Sequence, residues 1–344
     1  MTLPVHPNAI SFVNLETEFG GQAGPPAPPA TRMPISIGDY YSGGPYVSAR
    51  TPGFPLGVST PIPSSGALSM GRFHGAGQFR FSLFGGTNVD LRSAAINAGW
   101  NQIDHLIVAN VGTIVSNSVG AYALTISGSF PRGVDFINEG LIVGRGGNGG
   151  VGGAAVPTDA GSQTGWANGI NGNPAQAGSG AGPALIASVA VVITNNATIA
   201  GGGGGGGGGG NGASSYSRSS SGTAGGSGGG GIGNGTGAAA PAQVSAGSMV
   251  NFAGAGLNAD TNFVGAGGAG GYTVSPFSGF FKLGGSGGAG GGYGSGGAGG
   301  GPWTGNPGPH AIQPPAGGGA AGAAIVGNGN ITWVAFGNRF GGIV

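Results

Sequence analysis

Apolar and polar positions alternate from Phe79 to Leu83, with Arg80 and Ser82 between Phe79, Phe81 and Leu83. This two-residue period predicts a half-buried strand. Short apolar runs follow at Leu106-Ile107-Val108-Ala109 and at Ala121-Tyr122-Ala123-Leu124-Thr125-Ile126, and their length suits strands better than helices. A unit of the form Asn-x-small-x-Ile then recurs, each time after an apolar segment: Asn110-Val111-Gly112-Thr113-Ile114, Asn138-Glu139-Gly140-Leu141-Ile142 and Asn195-Asn196-Ala197-Thr198-Ile199. The copies are 28 and 57 positions apart, close to one and two units. An Asn turn between two short strands, repeated in stacked rungs, predicts a β-solenoid. Asn330-Ile331 reads as a degenerate fourth copy, while Asp90, Arg92 and Asp104 read as turn or ion-pair residues.

The second and third copies run directly into glycine. Tracts occupy 144–153, 201–210, 225–237, 265–271, 284–301 and 317–322, and the second is ten consecutive glycines. Glycine makes up 88 of the 344 residues. Each glycine costs a helix interior about 1 kcal/mol relative to alanine, so little α-helix is expected. Collagen is excluded because no strict three-residue glycine period runs through the chain. An ordered glycine tract has no side chain to bury, so its stability must come from its backbone. In a polyglycine-II helix, three residues per turn direct N–H and C=O groups outward. Rods without Cβ atoms pack closely enough to pair on every side, at about 1 kcal/mol net per bond. A ten-residue rod would span roughly 31 Å. Val189, Val191, Ile193, Ile325 and Val326 are expected to seal the edges of such a slab.

The first 77 residues have a different pattern. Ile10-Ser11-Phe12-Val13-Asn14-Leu15, Ile35-Ser36-Ile37-Gly38-Asp39-Tyr40 and Leu68-Ser69-Met70-Gly71-Arg72-Phe73 share the order aliphatic, Ser, apolar, any, polar, apolar. Pro25, Pro26, Pro28 and Pro29 separate the first pair, and Pro52, Pro55, Pro61 and Pro63 the second. Proline stiffens and extends such linkers. The repeats read as docking clips, with Ile10, Phe12, Leu15, Ile35, Ile37, Tyr40, Leu68, Met70 and Phe73 as contact positions. The expected division is a docking region at 1–77, a β domain at 78–143 and a glycine-rich domain at 144–344 ending in a strand. The fold class is mainly β, with an irregular N-terminal docking arm, a central β domain and a polyglycine-II bundle.

Composition narrows the function. There is no cysteine, which excludes a disulfide framework. Charged residues are 6% of the chain and the ten basic ones are scattered, which argues against a nucleic-acid partner, since phosphate affinity needs clustered positive charge. No basic segment precedes an apolar one at the N-terminus, so no signal peptide is expected. Gly144-Arg145-Gly146-Gly147-Asn148-Gly149 matches the dinucleotide fingerprint literally, and Gly225-Gly226-Ser227-Gly228-Gly229 and Gly284-Gly285-Ser286-Gly287-Gly288 match a nucleophile elbow. Both motifs require a helix next, and the residues that follow argue against one. His6, His74, His105 and His310 lack metal-ligand spacing, and Asp90, Asp104, Asp135 and Glu139 read as turn residues. No cofactor, metal or catalysis is expected.

What remains is surface recognition. The loops between tracts carry Tyr216 and Arg218, then Tyr272, Phe277, Phe280, Phe281 and Lys282, then Trp303 and His310; Trp166 sits in an earlier loop. Aromatic and basic residues on loops held by a rigid scaffold make binding hot spots. The same aromatics could instead cap the ends of the slab, and the sequence leaves both roles open.

At this point the chain resembles phage tail proteins. The run Ile10-Ser11-Phe12 to Glu18-Phe19-Gly20-Gly21, the run Pro34-Ile35-Ser36-Ile37 to Tyr40-Tyr41-Ser42-Gly43-Gly44, and the run Ile62 to Gly75 are similar to a segment at the start of phage tail-fibre and minor tail proteins. That segment usually ends Phe-Tyr-Gly, where this chain has Phe73-His74-Gly75. The Asn-x-small-x-Ile units followed by glycine tracts resemble the polyglycine-sandwich tip adhesins of T-even-type long tail fibres. Ile331 to Gly341 resembles strand endings of such proteins. The resemblance implies a virion protein of the phage tail, made in the host cytoplasm. Its partners would be other tail proteins and a host outer-membrane protein or glycan. It would be a trimer, or a monomer on an oligomeric fibre. In these adhesins the loops between rods contact the receptor, which points to 213–221, 272–283 and 302–316. A purely architectural virion protein and a glycine-rich ice-binding protein are the competing readings.

Overall fold

The computed structural model describes residues 78–154, 174–210, 212–216, 219–241, 249–251, 253–270, 272–274, 281–305 and 314–344. The docking positions Ile10 to Phe73 lie outside the described residues.

The apolar runs stack as rungs of a three-sided parallel β-solenoid. The first rung is β1 (Gln78–Thr87) and β2 (Val89–Asp90), followed by helix α1 (Leu91–Asn97). The second is β3 (His105–Val115) and β4 (Leu124–Ile126). The third is β5 (Val134–Asn138), β6 (Leu141–Val143) and β7 (Leu185–Ala187). The fourth opens with β8 (Val191–Asn195) and β9 (Thr198–Ala200). The chain then departs through β10 (Gly212–Tyr216), β11 (Ser219–Thr223), β12 (Met249–Asn251), β13 (Tyr272–Val274), β14 (Phe281–Leu283) and β15 (Thr304–Gly305). It returns as β16 (Ala323–Val326), and the fifth rung is β17 (Ile331–Ala335), β18 (Asn338–Phe340) and β19 (Gly342–Ile343). An eight-stranded sheet makes two sides, with β3 turning the corner between them, and a five-stranded sheet in the order β19-β16-β7-β4-β2 makes the third.

Register stacks like on like. One interior column is Phe81, Val108, Phe136, Ile193 and Trp333. A second is Ile114, Ile142 and Ile199, and a third is Leu124, Leu185 and Ile325. Full burial stabilises each such side chain by roughly 1.5–3 kcal/mol.

The Asn units form one further column. Asn110 donates from Nδ2 to Oδ1 of Asn138 at 2.8 Å, and Asn138 does the same to Asn195 at 2.8 Å. Asn195 then donates to the Phe336 carbonyl at 2.7 Å. The small residue two positions on lets the corners stack backbone to backbone: a Cβ on Gly140 would lie 2.0 Å from the Gly112 carbonyl oxygen. Two readings of the sequence change here. Asn138 and Asn195 stand on adjacent rungs, so the spacing of 57 is one rung holding a long insertion, not two units. Asn330 is not a ladder member; it lies just before β17, where its Nδ2 bonds the Ala187 carbonyl at 2.8 Å.

The solenoid ends in a charge. Arg339 continues the Ile114-Ile142-Ile199 column, and its guanidinium lies 5.0 Å from the Trp333 ring centroid and 4.6 Å from that of Phe336. An arginine at an inward-facing end position blocks stacking of a second solenoid on the open rung. Arg339→Leu is therefore expected to promote self-association, seen as a concentration-dependent rise in sedimentation coefficient; a variant that stays as dispersed as the parent would refute the blocking role.

Both glycine insertions leave from the same corner, after β6 and after β9. The expected boundary at 143/144 is the first departure, and the chain re-enters the solenoid at β7 and again at β16. Val191, Ile193 and Ile325 accordingly belong to the solenoid core and do not seal a slab edge, because each insertion returns to the rung it left.

Candidate functional site

The insertions form extended rods over 144–153, 174–183, 201–210, 224–233, 235–241, 253–260, 263–270, 284–292, 295–302 and 314–322. The tract at 225–237 is two antiparallel rods, reversing at Gly233 and Asn234, with φ of +96° and +63°. The tract at 284–301 likewise reverses at Gly294, with φ of +57°.

Hydrogen bonding rotates with a period of three. Gly202, Gly205 and Gly208 donate to the 174–183 rod; Gly203, Gly206 and Gly209 donate to 224–233; Gly204, Gly207 and Gly210 donate to 295–302. The same rod accepts from 144–153, 284–292 and 314–322. This is the pairing of polyglycine II. The pairs define three layers. The middle layer is 314–322, 201–210, 224–233 and 253–260. It is flanked by 174–183, 144–153 and 235–241 on one side and by 295–302, 284–292 and 263–270 on the other. The rods at 201–210 and 224–233 are surrounded on all sides and buried throughout. The first is pure glycine. The second admits Ser227, whose hydroxyl is tied to the Ala239 carbonyl at 2.5 Å and accepts from Gly152 N–H at 3.2 Å. Outer rods show solvent a side chain at every third position, as at Ala266 and Ala269 or Ser286 and Ala289.

The bundle has two unlike ends. At the solenoid end the connections are short turns at 234, 261–262 and 293–294. There Tyr293 donates its hydroxyl proton to the Thr261 carbonyl and stacks on Phe340 with centroids 6.0 Å apart. Burial, then the nearby Asp260 charge, raises the Tyr293 pKa. The Asp260 carboxylate accepts from Asn262 and Phe263 N–H, which lowers its pKa. At the far end Gly225 N–H bonds Gly153, Gly285 N–H bonds Gly210 and Gly210 N–H bonds Gly301, at 3.0, 3.0 and 3.1 Å. The chain stretches 155–173, 211–223, 242–252, 271–283 and 303–313 all leave from this end.

The described parts of these stretches form two small antiparallel sheets. One is the β10–β11 hairpin, with Tyr216 opposite Ser219. The other has the order β12-β13-β14-β15, pairing Tyr272 with Leu283, Thr273 with Lys282 and Val274 with Phe281. Lys282 also pairs with Gly305, and Leu283 pairs with Thr304. Of the expected site residues, Tyr216, Tyr272, Phe281 and Lys282 thus stand on tip strands, and Trp303 immediately precedes β15. The Trp303 Nε1–H is buried without an acceptor among the described residues. Arg218, Phe277, Phe280 and His310 lie outside the described residues. The sequence reading did not single out 242–252, whose Met249 and Asn251 pair with β13. The signal was available: interruptions alternate between short and long along the chain, and every long one falls at the same end.

Among the described residues, no group of His, Cys, Asp or Glu could hold a metal ion. Asp90 caps α1 by accepting from Ser93 N–H at 2.7 Å. Asp104 pairs with Arg132 at 3.1 Å, and Asp135 lies 3.2 Å from His105 Nε2. The fingerprint-like Gly144 to Gly149 runs as part of a rod.

Fold and site together define a display protein: a solenoid base, a rigid glycine bundle, and strands presented at the bundle's free end. The family model of the phage tail fibre adhesin Gp38 matches residues 82–344, and the chain belongs to that family. It is a structural component of the virion tail. Among solved structures, it is similar to a chain of the gp37-gp38 adhesin tip complex of the bacteriophage S16 long tail fiber. Identity is 22% and the TM-score 0.48, covering 80% of this chain and 87% of that one. No curated protein matches the chain.

Proposed function

We propose that the tip strands and the stretches joining them bind a host surface receptor, an outer-membrane protein or glycan, by adhesion without covalent chemistry. The observation that supports this is the segregation of connections: every turn at the solenoid end is minimal, and every long stretch leaves from the free end. A purely architectural protein has no need for that asymmetry. Tyr216, Arg218, Tyr272, Phe277, Phe280, Phe281, Lys282, Trp303 and His310 all fall on these stretches. Their only fixed charges are Asp159, Arg218 and Lys282, so aromatic and hydroxyl contacts dominate the chemistry on offer. Residues 1–77 attach the adhesin to another tail protein, and the chain is made in the host cytoplasm.

The test is to replace 272–283 and 303–313 with short Gly-Ser turns in the phage. Intact particles are expected to adsorb to the host at least about tenfold more slowly, as loss of ~1.4 kcal/mol or more of hot-spot contact implies. Unchanged adsorption by particles that carry the altered protein would overturn the reading.

A further inference from the structure

We propose that Tyr293 is a positioning residue. It sets the axial register of the rod hairpin 284–302, and so how far β14 and β15 stand out at the tip. Its bearing on adhesion rests on the receptor reading above.

The backbone pairing of this hairpin does not define one register. Gly285, Gly288 and Gly291 N–H donate to Gly210, Gly207 and Gly204, and their carbonyls accept from Gly226, Gly229 and Ile232 N–H. Each set is spaced by three. A slide of three residues, about 9 Å, offers every partner an identical group. Ser286 and Ala289 both face solvent and exchange places freely. The three residue pairs between β13 and β14 are too few to hold a register by themselves.

Other rods are held against sliding. Those at 144–153, 174–183, 201–210 and 314–322 run directly into solenoid strands. Ser227 ties 224–233 to Gly152 and Ala239. Asn148 Oδ1 accepts from Thr236 N–H at 3.2 Å, and Asn258 Oδ1 accepts from Gly237 N–H at 2.9 Å. Within 284–302, Tyr293 alone among the described residues has a side chain hydrogen-bonded outside the hairpin, to the Thr261 carbonyl.

The Tyr293-Gly294 turn is stopped in both directions. A slide toward the tip carries Tyr293 to the place of Gly290, where a Cβ would lie 1.8 Å from the Gly230 carbonyl oxygen. A slide toward the solenoid is closed by the β18–β19 corner. A Cβ on Gly294 would already lie 2.2 Å from the Gly341 nitrogen and 2.3 Å from the Phe340 carbonyl carbon. The stack on Phe340 seats the ring at the mouth of the bundle, but the stop itself needs only a Cβ. Alanine at 293 keeps it, and glycine removes it.

Disulfide trapping in the full chain, which has no cysteine of its own, tests this. Gly290 N–H bonds Gly265 and Gly287 N–H bonds Gly268, so Ala289 lies beside Ala266, and Ser286 beside Ala269. The pair Ala266→Cys and Ala289→Cys reports the native register. The pair Ala269→Cys and Ala289→Cys reports the register three residues toward the tip, and in the native register it is too far apart to close. Peptide mapping after mild oxidation measures both. Tyr293→Gly is expected to close the 269–289 pair at least about tenfold faster than the parent, as release of a steric stop implies. Tyr293→Ala should stay at the parent rate. A ring or hydroxyl role would make Ala and Gly behave alike, and that result would overturn the proposal. Closure of neither pair in Tyr293→Gly would also overturn it, since the turn would then hold the bundle together instead of setting its register. Phage carrying Tyr293→Gly locked through 269–289 should adsorb roughly tenfold or more slowly than phage locked through 266–289. Equal adsorption of the two locked forms would overturn the receptor reading and leave the register stop standing.

Discussion

Gly206→Ala is expected to destroy cooperative folding of the glycine bundle, whereas Gly317→Ala leaves it intact. Both substitutions add one methyl group to a rod. A Cβ at Gly206 would lie 2.0 Å from the Gly288 carbonyl oxygen and 2.6 Å from its carbon, both main-chain atoms of a neighbouring rod. Ordinary contact requires about 3.4 Å or more, so the rods must part by more than an ångström. The 201–210 rod cannot move away, because it is bonded on every side: Gly206 N–H to Gly229 O at 2.8 Å, Gly150 N–H to Gly206 O at 2.8 Å, and Gly288 N–H to Gly207 O at 2.8 Å. Separation therefore breaks bonds in several rods at once, at about 1 kcal/mol each plus the cost of any buried group left unpaired. A loss of roughly 4–6 kcal/mol is expected, comparable to the whole stability of many domains. At Gly317, by contrast, an added Cβ meets nothing within 4 Å. There alanine reduces only the freedom of the unfolded chain, and stability should rise by roughly 0.4–1 kcal/mol. Differential scanning calorimetry of the two variants decides the matter. A Gly206→Ala protein melting within a degree or two of the parent would show that the central rod is not held as described.

That contrast also marks what could be read in the sequence and what could not. The run of ten glycines at 201–210 was legible as a rod because nothing else accounts for it. Its position explains why it is pure: a Cβ at any of Gly201 to Gly209 would lie about 2 Å from a main-chain oxygen of a neighbouring rod. Rods on the outside are harder to recognise, since every third residue is free to be Ala, Ser or Gln. The rods at 174–183 and 253–260 do not stand out in the sequence for this reason, and 284–301 reads as one tract because Tyr293-Gly294 is a small interruption in a long glycine run. The solenoid was legible through its Asn units. Its length was not, because a returning strand such as Leu185–Ala187 is three residues long and lies far along the chain from the strand it pairs with. The candidate site was readable as a set of aromatic loops. Their convergence at one end was not, because it depends on how many times the chain reverses, and the reversals at Asn234 and Gly294 occupy only a residue or two.

Asn138→Ala is expected to cost roughly 3–5 kcal/mol, more than alanine at either neighbouring ladder position. The central amide works in both directions, accepting from Asn110 and donating to Asn195, with a further contact to the Thr198 carbonyl at 3.3 Å. All three side chains are fully or almost fully buried. Removing Asn138 strips the Asn110 Nδ2 donor of its ladder partner and leaves the Asn195 Oδ1 with only a long contact from Ala197 N–H at 3.4 Å, at about 1–3 kcal/mol each. Asn110 has only one ladder neighbour, and Asn195 ends on the Phe336 carbonyl, so each alanine there orphans one ladder partner. The column also supplies its own control, since Leu83 occupies the same register one rung earlier. Replacing Asn110, Asn138 and Asn195 together by leucine removes donors and acceptors alike and leaves no partner stranded within the ladder. The triple variant should then lose clearly less than the sum of the three single leucine variants. Denaturant unfolding of the singles and the triple measures this directly. Additive losses would mean that the three amides act independently, each through its own corner, as with Asn110 Oδ1 accepting from Gly112 N–H at 3.3 Å. A triple loss well below the sum of the singles would mean that the ladder acts as one unit, aligning the corners that join β5 to β6 and β8 to β9.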